Sequence, residues 1–184
     1  MKQIKVNYTY EIILYLLKKM AHGREIANEL KTSLTRVQLV LSELRDYNIL
    51  DYKVEGKNHI YFIKKNLVSK AYVLNAENYK LAKLLRKYAF LEPLFKDIVE
   101  KYPNILIMLF GSYAKFVPKE DSDIDVYVHT SDEKVKEVIK GFHDNLSIKI
   151  GEFNKKDLLV QEIIRDHIII QGGEIYYGKL EFFK

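Results

Sequence analysis

The residues best suited to chemistry in this sequence are Asp123 and Asp125, set one residue apart in SDIDVYV. Strand side chains alternate between faces, so these two project together. Carboxylates so placed repel each other unless a cation or a hydrogen-bond network compensates them. On a solvent-facing strand edge the pair would cost little. In a cleft it would make a site for a hard divalent cation, which prefers carboxylate oxygens. Upstream, Gly111-Ser112 ends the apolar run NILIMLFG. A glycine at a strand-to-helix turn lets a ligand approach the backbone, and free amides at a helix start bind phosphate. Ser112 adds a hydroxyl donor. The chemistry suggested is that of phosphates and a metal.

Several elements must position these groups. NILIMLFG is apolar throughout, the mark of a strand buried on both faces, and YAKF opens a short helix after it. LSIKIGEF, residues 146–153, reads as a following strand with Leu146, Ile148 and Ile150 on one face. The segment from Lys155, KKDLLVQEIIRDH, is an amphipathic helix with Leu158, Leu159, Ile163 and Ile164 inward. IIIQGGEIYYG adds an apolar stretch and a turn. Before all of these, YKLAKLLRKYAFLEPLFKDIVEKYP is helical from Tyr79, and Pro93 predicts two helices meeting near Leu91–Pro93.

The front of the chain has a different pattern. YEIILYLLKKM places Ile12, Ile13, Leu16 and Leu17 on one helical face, and His22-Gly23 breaks it. REIANEL is a second, short helix with Ile26, Ala27 and Leu30 inward. Thr32-Ser33 resembles an N-cap for LTRVQLVLSELRDYN, which turns Leu34, Val37, Leu41 and Leu44 inward. ILDYKV and HIYFIK then read as two strands joined by a turn at Glu55-Gly56-Lys57-Asn58. The expected domains are 1–66, a linker over 67–78, and 79–184 with its motif core at 104–153.

Three helices followed by a hairpin resemble a winged helix-turn-helix. That resemblance implies a third helix in the DNA major groove and a wing along the backbone. Thr35, Arg36 and Gln38 are the outward residues near the start of that helix. Arg and Gln can make paired bonds to guanine and adenine. On the wing, Lys53, Lys57 and His59 could reach phosphates. Winged helices also serve as dimerisation or protein-docking modules, and in that case Arg36 is a solvated charge.

The pattern of Gly-Ser, nine residues, then SDID and apolar VYV resembles the DNA polymerase β-like nucleotidyltransferase superfamily, most of all its minimal prokaryotic members. The resemblance runs from about Asn104 to the end. It implies a small mixed sheet with flanking helices, so the whole chain is expected to be α+β. It further implies that Gly111 and Ser112 hold a nucleoside triphosphate tail while Asp123 and Asp125 bind Mg²⁺ and act in catalysis. Nucleotidyl transfer displaces pyrophosphate from an α-phosphate, and two cations about 3.5–4 Å apart can clamp the attacking and leaving oxygens.

Two positions depart from the family. Its third carboxylate, on a following strand, activates the attacking hydroxyl; here the polar face of 146–153 carries Ser147 and Lys149. Glu152 shares parity with the apolar set unless Gly151 forms a bulge, and Asp144 precedes the strand with the wrong parity. Lys149 could itself neutralise the aspartates in place of a metal. Phe116 stands where the family usually has glycine. The alternative to a transferase is therefore a transcriptional regulator or antitoxin-like protein with a degenerate site and a protein partner.

Composition bounds these readings. The 184 residues contain no cysteine, which excludes disulfides and thiolate chemistry and fits a reducing, cytoplasmic setting. Tyr10 to Leu17 is apolar but too short to span a bilayer. Residues 1–70 hold 13 Lys and Arg against 7 Asp and Glu, whereas the remainder holds 17 against 18. Such asymmetry suits a front half that meets a polyanion. Winged helices commonly pair on palindromic sites, so a homodimer is expected. The five histidines read as surface or turn residues and the tyrosines as half-buried packing. Lys115 and Lys119 flank the proposed phosphate site, as steering charges or as ordinary solvated ones.

Overall fold

The protein is described here by a computed structural model covering residues 6–184. The described residues divide into two compact units, 6–76 with 183–184, and 77–182. The fold is α+β.

The first unit is winged-helix-like. Helix α1 (Tyr8–Lys18) is followed by a two-residue strand β1 (Ala21–His22), then α2 (Gly23–Glu29) and α3 (Leu34–Asp46). Ser33 caps α3 by accepting from Arg36 N at 3.3 Å. Strands β2 (Leu50–Glu55) and β3 (Asn58–Ile63) form a hairpin registered from Leu50↔Ile63 to Glu55↔Asn58. Gly56, at φ +61°, supplies the left-handed turn this hairpin needs. Ile12, Ile13, Ile26, Val37, Leu41 and Leu44 are buried and form the unit's core. Burial of each of the larger ones contributes about 1.5–3 kcal/mol. Strand β1 pairs with β3, giving the sheet order β1-β3-β2. The expected helix break at His22-Gly23 therefore also contains a strand, and the His22 side chain caps α2 by accepting from Glu25 N at 3.1 Å.

The segment expected as a linker over 67–78 is helical. Helix α4 runs Leu67–Lys87, well ahead of the Tyr79 start that the apolar spacing suggested. Asn66 explains the early start: its side chain accepts from Ser69 N at 2.8 Å while donating to Asn48 O at 2.8 Å. Ser69, fully buried, donates to Ile49 O. Helix α5 spans Leu91–Lys101. Pro93 lies within its first turn, where a missing N–H leaves no bond unmade, so the break falls before the proline.

The second unit is built on a four-stranded mixed sheet. Its strands are β4 (Ile107–Leu109), β5 (Ile124–Val128), β6 (Leu146–Ile150) and β7 (Ile168–Gln171), ordered β6-β5-β4-β7. β5 and β6 are parallel, joined through α7 (Glu133–Lys140); the other pairs are antiparallel. A short helix α6 (Gly111–Ala114) follows β4, while α8 (Leu158–Arg165) and α9 (Gly173–Leu180) flank β7 in sequence. One sheet face contributes Ile107, Leu109, Val126 and Ile148 to a core with Leu84, Leu94, Phe95 and Ile98. The inward residues of α8 are Val160 and Ile163, and Leu158, expected inward, is 84% exposed. The helix begins at Leu158, so its packed stripe starts one turn position later.

His167 departs from the expectation of a surface or turn residue. It is buried with Glu77, 3.8 Å from that carboxylate, and Tyr177 donates to Glu77 at 2.6 Å. Burial pushes the Glu77 carboxyl up, but the neighbouring His167, the charge of Lys80 and the Tyr177 hydroxyl outweigh it and hold the pKa below the ordinary range. A lowered folded pKa means this contribution is present above the unfolded value and is lost as pH falls through the folded one. Glu77→Ala strands two buried partners. A loss of about 2–3 kcal/mol is expected in denaturant unfolding, growing smaller toward acid pH. No described helix is long and apolar enough to cross a membrane.

Candidate active site

The site is assembled by β4, α6 and β5. Leu109 pairs with Val126, and Phe110 N donates to Asp125 O at 2.9 Å, so the turn after β4 lies directly over Asp125. Gly111 takes φ +69°, and a methyl group built on it would stand 2.3 Å from Asp125 Oδ2 and 3.1 Å from its Cγ. The glycine is required twice over, by its backbone and by the carboxylate against it. Ser112, half-buried, occupies the next position of α6, and its carbonyl accepts from Val117 N at 3.0 Å, closing the turn.

Asp125 is half-buried on β5, and Asp123 is exposed just before the strand. Burial raises the Asp125 carboxyl above its usual pKa. Hydrogen bonding from Ser147 opposes this shift, while the charges of Asp123 and Glu162 reinforce it and that of Lys149 weakly opposes it. A half-buried carboxylate raised in this way gains from a cation. With a glycine-lined approach beside them, the carboxylates and the Ser112 hydroxyl fit Mg²⁺ carrying a phosphate tail: hard oxygen ligands, few in number. Among the described residues no three acidic or histidine side chains gather closely enough to hold a metal by themselves.

The parallel register places Ser147 beside Asp125 and Lys149 beside Tyr127. Ser147 thus occupies the strand position next to the inner aspartate. Lys149 is exposed and two pairs further along. Glu152 lies past the strand, 3.7 Å from His129 Nε2, and Gly151 has left the strand with φ +152°. Tyr127, buried, donates to Gly151 O at 2.7 Å and closes that end of the polar face.

Sequence reasoning missed Glu162. It projects from α8, pairs with Lys115 at 3.7 Å, and its charge reaches Asp125. On a helix distant in sequence it looked like any solvated acid. Phe116 adopts φ +61°, a glycine-like backbone carrying a bulky ring. Lys87 Nζ donates to its carbonyl at 3.0 Å. Lys119 is exposed, its amide donating to Ser122 Oγ at 2.8 Å in the loop before Asp123.

In the first unit Thr35, Arg36 and Gln38 are exposed along the start of α3, as expected for that face. The Arg36 guanidinium lies 5.1 Å from the Tyr8 ring centre. Lys53 and Lys57 are exposed on the hairpin, and Glu55 pairs with Lys53 at 2.7 Å. His59 stacks on Tyr52 with centroids 3.9 Å apart.

Residues 95–177 match a family model described as Polymerase beta, Nucleotidyltransferase. Among solved structures, a variant of ZitR from Lactococcus lactis aligns at 14% identity over 56% of this chain and 70% of that one, with a TM-score of 0.37. A toxin-antitoxin structure with AMP-PNP aligns at 22% identity over 58% of this chain and 86% of that one, with a TM-score of 0.34. A mutant of the MntA-HpeT toxin-antitoxin aligns at 21% identity over the same shares, with a TM-score of 0.33. No curated protein matches the chain. Similarities of this extent carry no functional argument. Residues 95–177 thus match the polymerase β-type nucleotidyltransferase model, and the strand–turn–carboxylate geometry of residues 107–128 lies within the matched segment.

Proposed function

We propose that the protein is a DNA-binding nucleotidyltransferase whose carboxy-terminal domain holds Mg²⁺–nucleoside triphosphate and passes a nucleotidyl group to an acceptor. The observation that carries this reading is the seating of Gly111 against the Asp125 carboxylate, which brings the turn and the inner acid together. Asp123 and Asp125 hold the metal, which supplies charge stabilisation at the α-phosphate and the departing pyrophosphate when bound. Gly111 admits the phosphate chain to the backbone, and Ser112 donates to it. The bond from the acceptor oxygen to the α-phosphorus forms as the bond to pyrophosphate breaks. Ser147, the neighbour of Asp125 across β5 and β6, is placed to donate to that carboxylate.

A second reading draws on the same residue. Ser147 stands beside Asp125 where a carboxylate could activate the acceptor hydroxyl. In that reading the domain binds Mg²⁺–nucleotide and reports it to the winged-helix unit as a regulator. Incubation with Mg²⁺ and α-labelled nucleoside triphosphates separates the two. Label transferred to protein or nucleic acid supports the enzyme; saturable binding with release of neither pyrophosphate nor label supports the regulator.

For the first unit, we expect Arg36→Ala to weaken duplex binding by about 1–3 kcal/mol and to relax preference at one base position. Fluorescence anisotropy over a salt series measures both. Unchanged affinity would assign α3 to protein docking instead.

A further inference from the structure

The β2–β3 hairpin has two unlike faces. On one, Lys53 and Glu55 form an ion pair at 2.7 Å. The other carries Leu50, Tyr52 and Val54 of β2 opposite Ile63, Tyr61 and His59 of β3. Leu50 and Ile63 are buried at its inner end, Tyr52 and Tyr61 are half-buried, and Val54 and His59 are exposed at its outer end. Tyr52 and His59, diagonal neighbours across the strands, stack with ring centroids 3.9 Å apart and planes 23° from parallel. Tyr61 lies 5.8 Å from Tyr52 and meets His59 edge-on at 6.4 Å. From the last turn of α3, the Arg45 guanidinium stands 4.5 Å from the Tyr52 ring centre.

Cross-strand aromatic pairs stabilise a hairpin, and that accounts for Tyr52 opposite Tyr61. It gives no reason for an imidazole laid flat on a phenol ring at the solvent end of the face, where little surface is buried. A flat conjugated surface backed by a guanidinium suits a planar heterocycle. The segment that carries it, residues 1–70, holds 13 Lys and Arg against 7 Asp and Glu, which suits a heterocycle borne on a polyanion. In a duplex the faces of each base are covered by its neighbours, so only an unpaired base can present one. We propose that Tyr52 and His59, backed by Arg45 and Tyr61, form a stacking platform for unpaired bases, so that the hairpin binds single-stranded nucleic acid. This goes beyond the duplex contact assigned above to α3 and stands whether or not Arg36 reads a duplex.

Fluorescence anisotropy on the full chain tests it with two labelled probes, oligothymidylate and an abasic strand of the same length. The two carry the same phosphates, so their difference in affinity isolates stacking from charge. The parent protein is expected to favour oligothymidylate by about tenfold. Tyr52→Leu with His59→Leu, which keeps apolar bulk but no rings, should shrink that preference below about twofold. Tyr52→Phe with His59→Tyr, which keeps both rings, should retain it. A parent that binds the two probes equally, or binds neither, overturns the platform and leaves the face to hairpin stability or protein docking. A preference that survives the leucine pair, or is lost in the ring-keeping pair, overturns it as well. An Arg36→Ala protein that keeps both the base preference and the parent's duplex affinity supports the platform and overturns duplex readout by α3.

Discussion

Gly111→Ala is expected to lower Mg²⁺–nucleotide affinity by about a hundredfold and stability by about 1–3 kcal/mol. The new methyl would stand 2.3 Å from Asp125 Oδ2 and 3.3 Å from Asp125 Cβ, so the carboxylate must swing away from the turn. Swinging it breaks the alignment with Ser147 and separates the inner ligand from Ser112. The backbone adds to the cost, since φ +69° is disfavoured for alanine. Gly178→Ala is the control. In α9 an added methyl meets nothing within 4 Å, and the substitution is expected to leave binding unchanged with a small gain in stability. Calorimetry and thermal unfolding of the two variants read both effects. Intact nucleotide binding by Gly111→Ala would mean that the turn and the aspartate do not act as one site.

Asp125→Asn is expected to move stability and binding in opposite directions. Burial, reinforced by the charges of Asp123 and Glu162, raises the Asp125 pKa in the folded protein. For an acid raised on folding, the folded state binds the proton more tightly, so the associated stability is present at low pH and is lost as pH rises through the folded pKa. At neutral pH the ionised carboxylate therefore opposes folding. The neutral amide removes that opposition and still accepts a hydrogen bond from Ser147. Thermal unfolding without metal should show a midpoint above that of the parent at neutral pH, with the difference vanishing in acid. Metal-dependent nucleotide affinity should fall by about a hundredfold or more, since even partners outside a metal's own ligands cost about 10–100-fold. A variant that is both less stable and unable to bind would indicate a damaged fold instead.

Local pattern carried much of this architecture. The three front helices and the hairpin followed from apolar spacing at Ile12, Ile13, Val37, Leu41 and Leu44, all of which are buried. The parity of 146–150 put Ser147 and Lys149 on the polar face, and the register with β5 bears that out. What local pattern could not show depends on partners distant in sequence. Asn66 starts α4 because it can reach Asn48, and nothing between residues 66 and 78 announces that. The strand at Ala21–His22 exists only because β3 is there to pair with it. Leu158 looked inward by hydrophobicity alone, yet the buried residues of that helix are Val160 and Ile163. Glu162 and Lys87 reach the residues after Ser112 from helices at either end of the domain, so no spacing rule links them to Ser112. The isolation of His167 from other histidines hid its buried partner, Glu77.

The most direct test is a titration of the parent protein with ATP in excess Mg²⁺ and again in excess chelator. Saturable binding that requires the metal is expected, because the two aspartates repel an uncompensated triphosphate. Equal affinity in chelator, or no binding in Mg²⁺, would contradict a metal–nucleotide site at these residues.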